Sequence, residues 1–411
     1  MRPFALFFLL AIICSCTPSP SDTDATANYE HLVAGLIEFK SPAGMFEPDS
    51  VQCANPHTLT ERMEFYNTPG VSMAVVGNGG VAWTGVYGTL DVDTGVRVTA
   101  GTIFQAASTS KLVTAVLALY FVQQGDLDLD ADVNDYLTSW QIEANEFTAR
   151  QTVTLRMLLT HRAGMPSTNF DHQEDAPYPT LLDVLNGRSP ALNEPATPEL
   201  EPGTQWQYSN VAYDVIQLLL EDVTGRSFTR LADEVVFAHL GMKNSSFAYP
   251  LAPELQKHEA MPHDAEGISR EPAMHLTALA HGGMTTTPGD LALLVDDLLL
   301  AYGGDAQRIL TPQTARQLFG KECELDPRMF GIPLSEGLGV LLMGEGDDRV
   351  FALPGSNLPG LNCWLMGWPE KGRGIVVMTN GARGELLAME VITAFVVLES
   401  DSGCGGSTPS E

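Results

Sequence analysis

Apolar and polar positions change period twice along this chain. Residues 71–76 and 81–87 are apolar, β-branched runs joined by Gly77-Asn78-Gly79-Gly80, whose chemistry is that of a tight hairpin turn. From there the apolar positions recur at three and four, and residues 112–123, 155–159, 211–223 and 291–300 predict helices. Strand character returns over 362–368 and 374–379, and 385–398 predicts a closing helix. Strands at both ends with a helical middle predict an α+β fold: an antiparallel sheet flanked by helices, with a helical subdomain inserted into it. The core domain is expected over 61–398, its sheet part at about 61–110 and 303–398 and its helical part at about 111–302. The cleft between the two parts is the expected site. The Pro- and acid-rich stretches 171–179 and 193–202 read as surface loops, and the Gly- and Ser-rich end, 399–411, as a flexible tail. No internal repeat is present.

Ahead of this core, residues 4–13 are almost wholly apolar, a signal-peptide core too short to span a bilayer as a stable helix. Ile13-Cys14-Ser15-Cys16 follows, which resembles a bacterial lipobox with Cys16 as the lipid acceptor. Cys14 is the poorer acceptor because bulky Ile13 would precede the cut; ordinary signal cleavage is the alternative. The Ser-, Thr-, Pro- and Asp-rich stretch 17–27 cannot bury a core and reads as a tether within a 16–60 extension. Residues 1–15 are thus an expected lipoprotein signal peptide, and the protein is expected on the periplasmic side of a bacterial envelope. Thr17 after the cysteine, by resemblance to sorting rules of double-membrane bacteria, favours the outer membrane.

Charge narrows the partners. Asp+Glu 51 against Lys+Arg 22 gives a formal charge of -29, which repels phosphate backbones, so nucleic acid is not an expected partner. In an oxidising compartment Cys53, Cys323, Cys363 and Cys404 predict one or two disulfides, with the pairing open. No Cys-x-x-Cys, His-Glu-x-x-His or phosphate-loop pattern occurs, so no metal and no cofactor is expected. The Gly-x-Ser-x-Gly elbow is absent too.

The candidate chemistry lies in Phe104-Gln105-Ala106-Ala107-Ser108-Thr109-Ser110-Lys111, where a strand-like approach over 102–105 meets an apolar helix. Three residues make nearly one helical turn, so Lys111 rises on the face of Ser108 and its amine can reach the hydroxyl. A serine hydroxyl attacks a carbonyl only while something takes its proton, and a buried, neutral amine does so. Alone, Ser-x-x-Lys arises by chance in many chains, the plain alternative being an N-capping serine at an exposed helix start. No other lysine here has a serine three positions earlier. In Tyr208-Ser209-Asn210 the phenol and the amide point one way along an extended loop; the phenol can relay a proton and the amide can orient the lysine and a substrate carbonyl. A buried tyrosine beside a helix-capping asparagine is the bland alternative.

These segments resemble the class C β-lactamase, DD-peptidase and family VIII-type carboxylesterase branch of the penicillin-recognising serine enzymes, over 64–398. Further matching blocks are 125–130, 158–166, 239–242, 282–290 and 377–381. The resemblance implies the β-lactamase/transpeptidase-like fold, Ser108 as acylated nucleophile, and Lys111 or Tyr208 as the acylation base, with the choice between them open. It aligns Leu353-Pro354-Gly355-Ser356-Asn357 with the third family motif, where relatives carry Lys or His two residues before the glycine. It also implies an oxyanion hole from the backbone N–H groups of Ser108 and of a residue near Ser356. Asn210, Gly355, Ser356 and Asn357 are therefore the expected substrate-binding residues, with Asn357 either a neutral anchor or a plain turn residue. Without the cation, an ester or amide hydrolase of carboxylesterase type is placed ahead of a β-lactamase, DD-peptidase or D-aminopeptidase. The competing class is a non-catalytic envelope protein that binds peptidoglycan-like ligands. His161 and His281 are read as structural residues.

Overall fold

In a computed structural model the described residues are 29, 32–33, 36, 57–167, 176–272, 277–305 and 308–399. The signal peptide, Cys14, Cys16, the 17–27 tether, Cys53, Cys404 and the tail from 400 lie outside them, as does most of the 171–179 loop.

Helix α1 (Leu59–Phe65) starts at Thr58, whose side chain accepts from the Glu61 N–H while Glu61 closes a capping box. The hairpin of β1 (Gly70–Val76) and β2 (Val81–Gly88) turns through Asn78 and Gly79, both at positive φ. That is the primed geometry whose twist matches the strands. Strand β3 (Phe104–Gln105) runs into the long helix α2 (Ser110–Gln124), which stops at Gly125 in the left-handed region. Helix α3 (Asn210–Thr224) follows, then β4 (Thr285–Thr286), α4 (Pro288–Gly303), the short strands β5 (Cys323–Glu324), β6 (Ser335–Glu336) and β7 (Leu341–Met343), the long β8 (Val350–Asn357), β9 (Leu361–Trp368) and β10 (Arg373–Thr379), and α5 (Gly384–Glu399).

Eight strands form one sheet in the order β2-β1-β10-β9-β8-β7-β6-β5, every neighbouring pair antiparallel. The predicted hairpin, helices and closing strands all form. Both faces of β1 and β9 are buried, because alternate side chains serve two cores. Ala74, Val76, Cys363, Leu365, Val376 and Met378 face the core around α2, α3 and α4. Met73, Val75, Trp364, Met366, Ile375 and Val377 face α1 and α5. On that second side Arg62 donates two hydrogen bonds to Glu390, at 2.8 and 2.7 Å, and Tyr66 donates a third at 2.7 Å, tying α1 to α5.

Three expectations change. The approach strand β3 pairs with β4, outside the main sheet. Helix α4, expected with the helical part, packs on β1 and β10 of the sheet. Cys323 and Cys363 are both free thiols, which rules out two bridges among the four cysteines.

Candidate active site

Four segments converge on Ser108. After β3 the chain passes Ala107, held at φ 50° in the left-handed region that a Cβ disfavours, and makes a single 3-10 turn over Ala107–Thr109 before α2 begins. Ser108 therefore stands on a sharp turn two residues before the helix rather than within its first turn. Thr109 Oγ1 donates to Ala106 O at 2.7 Å and closes the turn. Strand β8 lies directly on it: a Cβ at Gly355 would sit 2.6 Å from Ala106 O, 2.9 Å from Ser108 N and 3.0 Å from Thr109 N. Only glycine lets the two backbones approach so closely.

The polar centre is compact. Ser108 Oγ and Tyr208 Oη are 2.8 Å apart. Lys111 Nζ lies 3.3 Å from Ser108 Oγ, and it donates to Asn210 Oδ1 at 2.7 Å and to the His281 carbonyl at 2.8 Å. The sequence-predicted Ser108, Lys111, Tyr208 and Asn210 are thus brought together. Asn210 differs in setting, because it is the first residue of α3 and the cap is Ser209, whose side chain accepts from the Ala212 N–H. Its amide oxygen turns to the lysine.

Burial decides the charges. Lys111 is 2% exposed, and desolvation lowers its pKa from 10.5 to about 7, with Asp214 opposing the shift. Tyr208 keeps some surface open to the cleft, yet its phenol is pushed up to about 12, mainly by burial and also by Glu336, while the bond to Ser108 pulls it down. Near neutral pH the amine can be uncharged and the phenol keeps its proton. A neutral amine has two hydrogens and one lone pair; with the hydrogens taken by Asn210 and His281, the lone pair is left for Ser108 Oγ. The arrangement can take a proton from the serine and return it through Tyr208.

Around this centre, the side chains of Asn210, Asp214 and Gln217 form one stripe on α3. Asp214 Oδ1 accepts from His281 Nδ1 at 2.8 Å. Gln217 accepts from the N–H groups of Leu279 and Ala280 and donates to Thr277 O. From α2, Thr114 donates to Ala280 O and Ser110 accepts from the Met284 N–H. His161, expected to be structural, is fully packed: its Nδ1 accepts from the Ser209 N–H and its ring lies 4.6 Å from that of Tyr208. Burial, then the Lys111 charge, holds it well below its usual pKa and so neutral. His281 is more than a packing residue, since its carbonyl holds the lysine and its ring is bound by Asp214.

The third motif behaves differently. Leu353 is buried in the core beside α2, so the position of the family cation carries an apolar side chain turned inward. Ser356 is exposed and its Oγ donates to Asn362 Oδ1 at 2.8 Å. Asn357 Nδ2 donates to Gln105 Oε1 at 2.9 Å, pinning β8 to β3. Beyond Ala352 the β7 pairing ends, which leaves one backbone edge of 353–357 facing away from β9. Sequence reasoning missed Gln105, Asp214 and Glu336. Asp214 had a legible signal, one helical turn after Asn210. Glu336 had none: it lies on a two-residue strand, buried, accepting from Trp206 Nε1 at 3.1 Å, and burial holds its pKa well above the carboxylate range. Among the described residues no cluster of three His, Cys, Asp or Glu could hold a metal ion.

The family model described as Beta-lactamase matches residues 56–394. Protein flp of Staphylococcus aureus strain N315 is 27% identical over 321 residues, 76% of this chain and 59% of flp. A putative D-alanyl-D-alanine carboxypeptidase of Escherichia coli O157:H7 is 22% identical over 271 residues, 58% of this chain and 62% of that protein. The chain therefore spans less than two thirds of the length of these curated relatives. Two solved structures share the fold. The octameric penicillin-binding protein homologue from Pyrococcus abyssi has a TM-score of 0.68 at 22% identity, covering 82% of this chain and 76% of that one. A class C beta-lactamase has a TM-score of 0.64 at 19% identity, covering 82% and 93%. With an antiparallel sheet between two helical layers and a family match that runs through nearly all of it, this chain belongs to the beta-lactamase family.

Proposed function

We propose that this protein is a serine hydrolase that cleaves an ester or amide through an acyl-enzyme on Ser108. The observation that carries the reading is the hydrogen-bonding of Lys111: two neutral acceptors at 2.7 and 2.8 Å, and Ser108 Oγ as its third neighbour. In the first half-reaction Ser108 Oγ attacks the carbonyl carbon and its proton passes to Lys111 Nζ. The tetrahedral oxyanion is received by the Ser108 N–H and by an N–H of the β8 edge at Ser356. Collapse breaks the bond to the leaving group, which takes the proton from Lys111 by way of Tyr208. A water molecule then attacks the acyl carbon, gives its proton along the same route, and Ser108 leaves with it. Tyr208 serves as relay and Lys111 as base, because burial lowers the amine and raises the phenol.

Leu353 supports an uncharged ester as the favoured substrate class, since a carboxylate beside the scissile bond meets no cation at that position. The second class is a β-lactam or a D-alanyl peptide, favoured by the names of the carboxypeptidase and class C relatives. We also place the protein at the cell envelope through lipid on Cys16, a reading supported by the apolar run over 4–13 and the cysteine after Ser15. The test is a panel of nitrophenyl acyl esters, a chromogenic cephalosporin and a D-alanyl-D-alanine peptide, with Ser108→Ala as control. Ester turnover lost in the variant, with a fluorophosphonate adduct on Ser108 by mass, is the expected result. Equal turnover in both proteins, or no adduct, overturns the reading.

A further inference from the structure

The side chains of Asp214 and His281 have no place in the proposed acyl transfer, yet both are buried and they touch each other 2.8 Å apart, one turn along α3 from Asn210. Asn210 and Asp214 stand at i and i+4, on one face of the helix. The first grips Lys111 Nζ directly; the second grips the ring of the residue whose carbonyl grips the same nitrogen. Both hydrogens of the neutral amine are therefore aimed from one helix face.

We infer that Asp214 and His281 are a positioning pair for Lys111: the ring pair fixes the carbonyl that aims the amine at Ser108, and the Asp214 carboxylate sets the charge the amine faces. This deepens the hydrolase reading and rests on it. A backbone carbonyl on a loop is a soft acceptor unless the loop is held, and the 277–284 segment is held along its length. Gln217 binds 277, 279 and 280, Thr114 binds 280, Ser110 binds 284, and Asp214 binds the only ring in that stretch. The carboxylate is the favourable partner charge acting on the amine, against desolvation. The other titratable groups facing Lys111 are Tyr208 and Tyr213, whose rings lie 4.9 and 5.3 Å from Nζ, and His161; Glu336 acts one step further out, on the two tyrosines.

The sign of the effect follows. Removing the Asp214 charge makes the protonated amine less favourable, so the neutral form persists to lower pH. In Asp214→Asn, which keeps an acceptor for the ring, the acid limb of kcat/KM for a nitrophenyl ester is expected to move down by about one pH unit. In His281→Ala the carbonyl loses its anchor, and the plateau is expected to fall about tenfold. His281→Asn, which puts an amide nitrogen where Nδ1 stood, is expected to recover most of that loss. A purely structural role would lower melting temperature without moving the acid limb.

The same question is read without turnover by the pH titration of the Lys111 Cε resonance in lysine-labelled full-length protein, where its lowered midpoint separates it from surface lysines. The midpoint is expected to drop in Asp214→Asn by the shift seen in the acid limb. Superimposable titrations of wild type and Asp214→Asn overturn the charge role. Equal plateaus in wild type and His281→Ala overturn the positioning role, and those variants decide the matter if Asp214→Asn does not fold. A wild-type protein with no Ser108 adduct overturns the hydrolase reading instead, while the titration still reads the charge at Lys111.

Discussion

Among the described residues two basic side chains, Arg62 and Lys111, have almost no exposed surface, and their protons are held in opposite ways. Arg62 is 3% exposed and lies 4.4 and 5.0 Å from the rings of Phe65 and Tyr66; Lys111 is 2% exposed and lies 4.9 and 5.3 Å from those of Tyr208 and Tyr213. Arg62 meets a carboxylate in bidentate contact, and Glu390 raises its pKa further. Lys111 has neutral acceptors in an amide and a carbonyl, with the Asp214 charge further off, and burial loosens its proton to about 7. Aromatic faces and low exposure are common to both sites; the differences are that Lys111 is the more deeply desolvated and that its first acceptors carry no charge. One pair joins two helices, and the other leaves a base.

The comparison can be broken at either site. Lys111→Met removes the base, and ester turnover is expected to fall about 10³-fold or more, read as single-turnover acylation of Ser108. Arg62→Met leaves Glu390 buried without its cation and should cost about 3–5 kcal/mol in denaturant unfolding, while the acid limb of the pH–rate profile stays in place. A third substitution exchanges the two environments. Asn210→Asp is isosteric and puts a carboxylate on Lys111, so the lysine comes to resemble Arg62. Wild-type kcat/KM is expected to rise with pH through about 7. In Asn210→Asp the rise moves up by about one to two pH units, because the protonated amine is now favoured. An unmoved limb would mean that Lys111 is not the group whose ionisation controls turnover.

Much of this was legible before the fold was known. Ser108 and Lys111 announce themselves by helical spacing, and Tyr208 with Asn210 by their place before an amphipathic helix. The hairpin at Asn78-Gly79 and the closing strands carry plain turn signals and short apolar, β-branched runs. What stayed hidden has physical causes. Strands of two or three residues, such as β5, β6 and β7, are too short to show a period, so Glu336 had no context. The pairing of Asp214 with His281 joins positions 67 residues apart, and local pattern cannot see it. The close approach of Gly355 to the Ser108 turn has no signal in the sequence, because it exists only once β8 is laid against residues 106–109. Helix α4 reads as helix in any setting; that it covers the sheet depends on which strands stand behind it.

The register of the sheet bears on the order in which the molecule is made. Val71 opposes Thr379 and Val76 opposes Gly374, so β1, second from the sheet edge, waits through the roughly 300 residues from Val76 to Gly374 for the partner that completes its inner edge. Contacts so distant in sequence close slowly, because most of the chain entropy must be lost before they form. Until β10 emerges, the β1–β2 hairpin holds an open edge and two unburied faces, and β8 has no link through β9 and β10 to the hairpin. A nascent or C-terminally truncated chain therefore has helices but no nucleophile site. The surroundings of Ser108 are complete only when the last strands are in place.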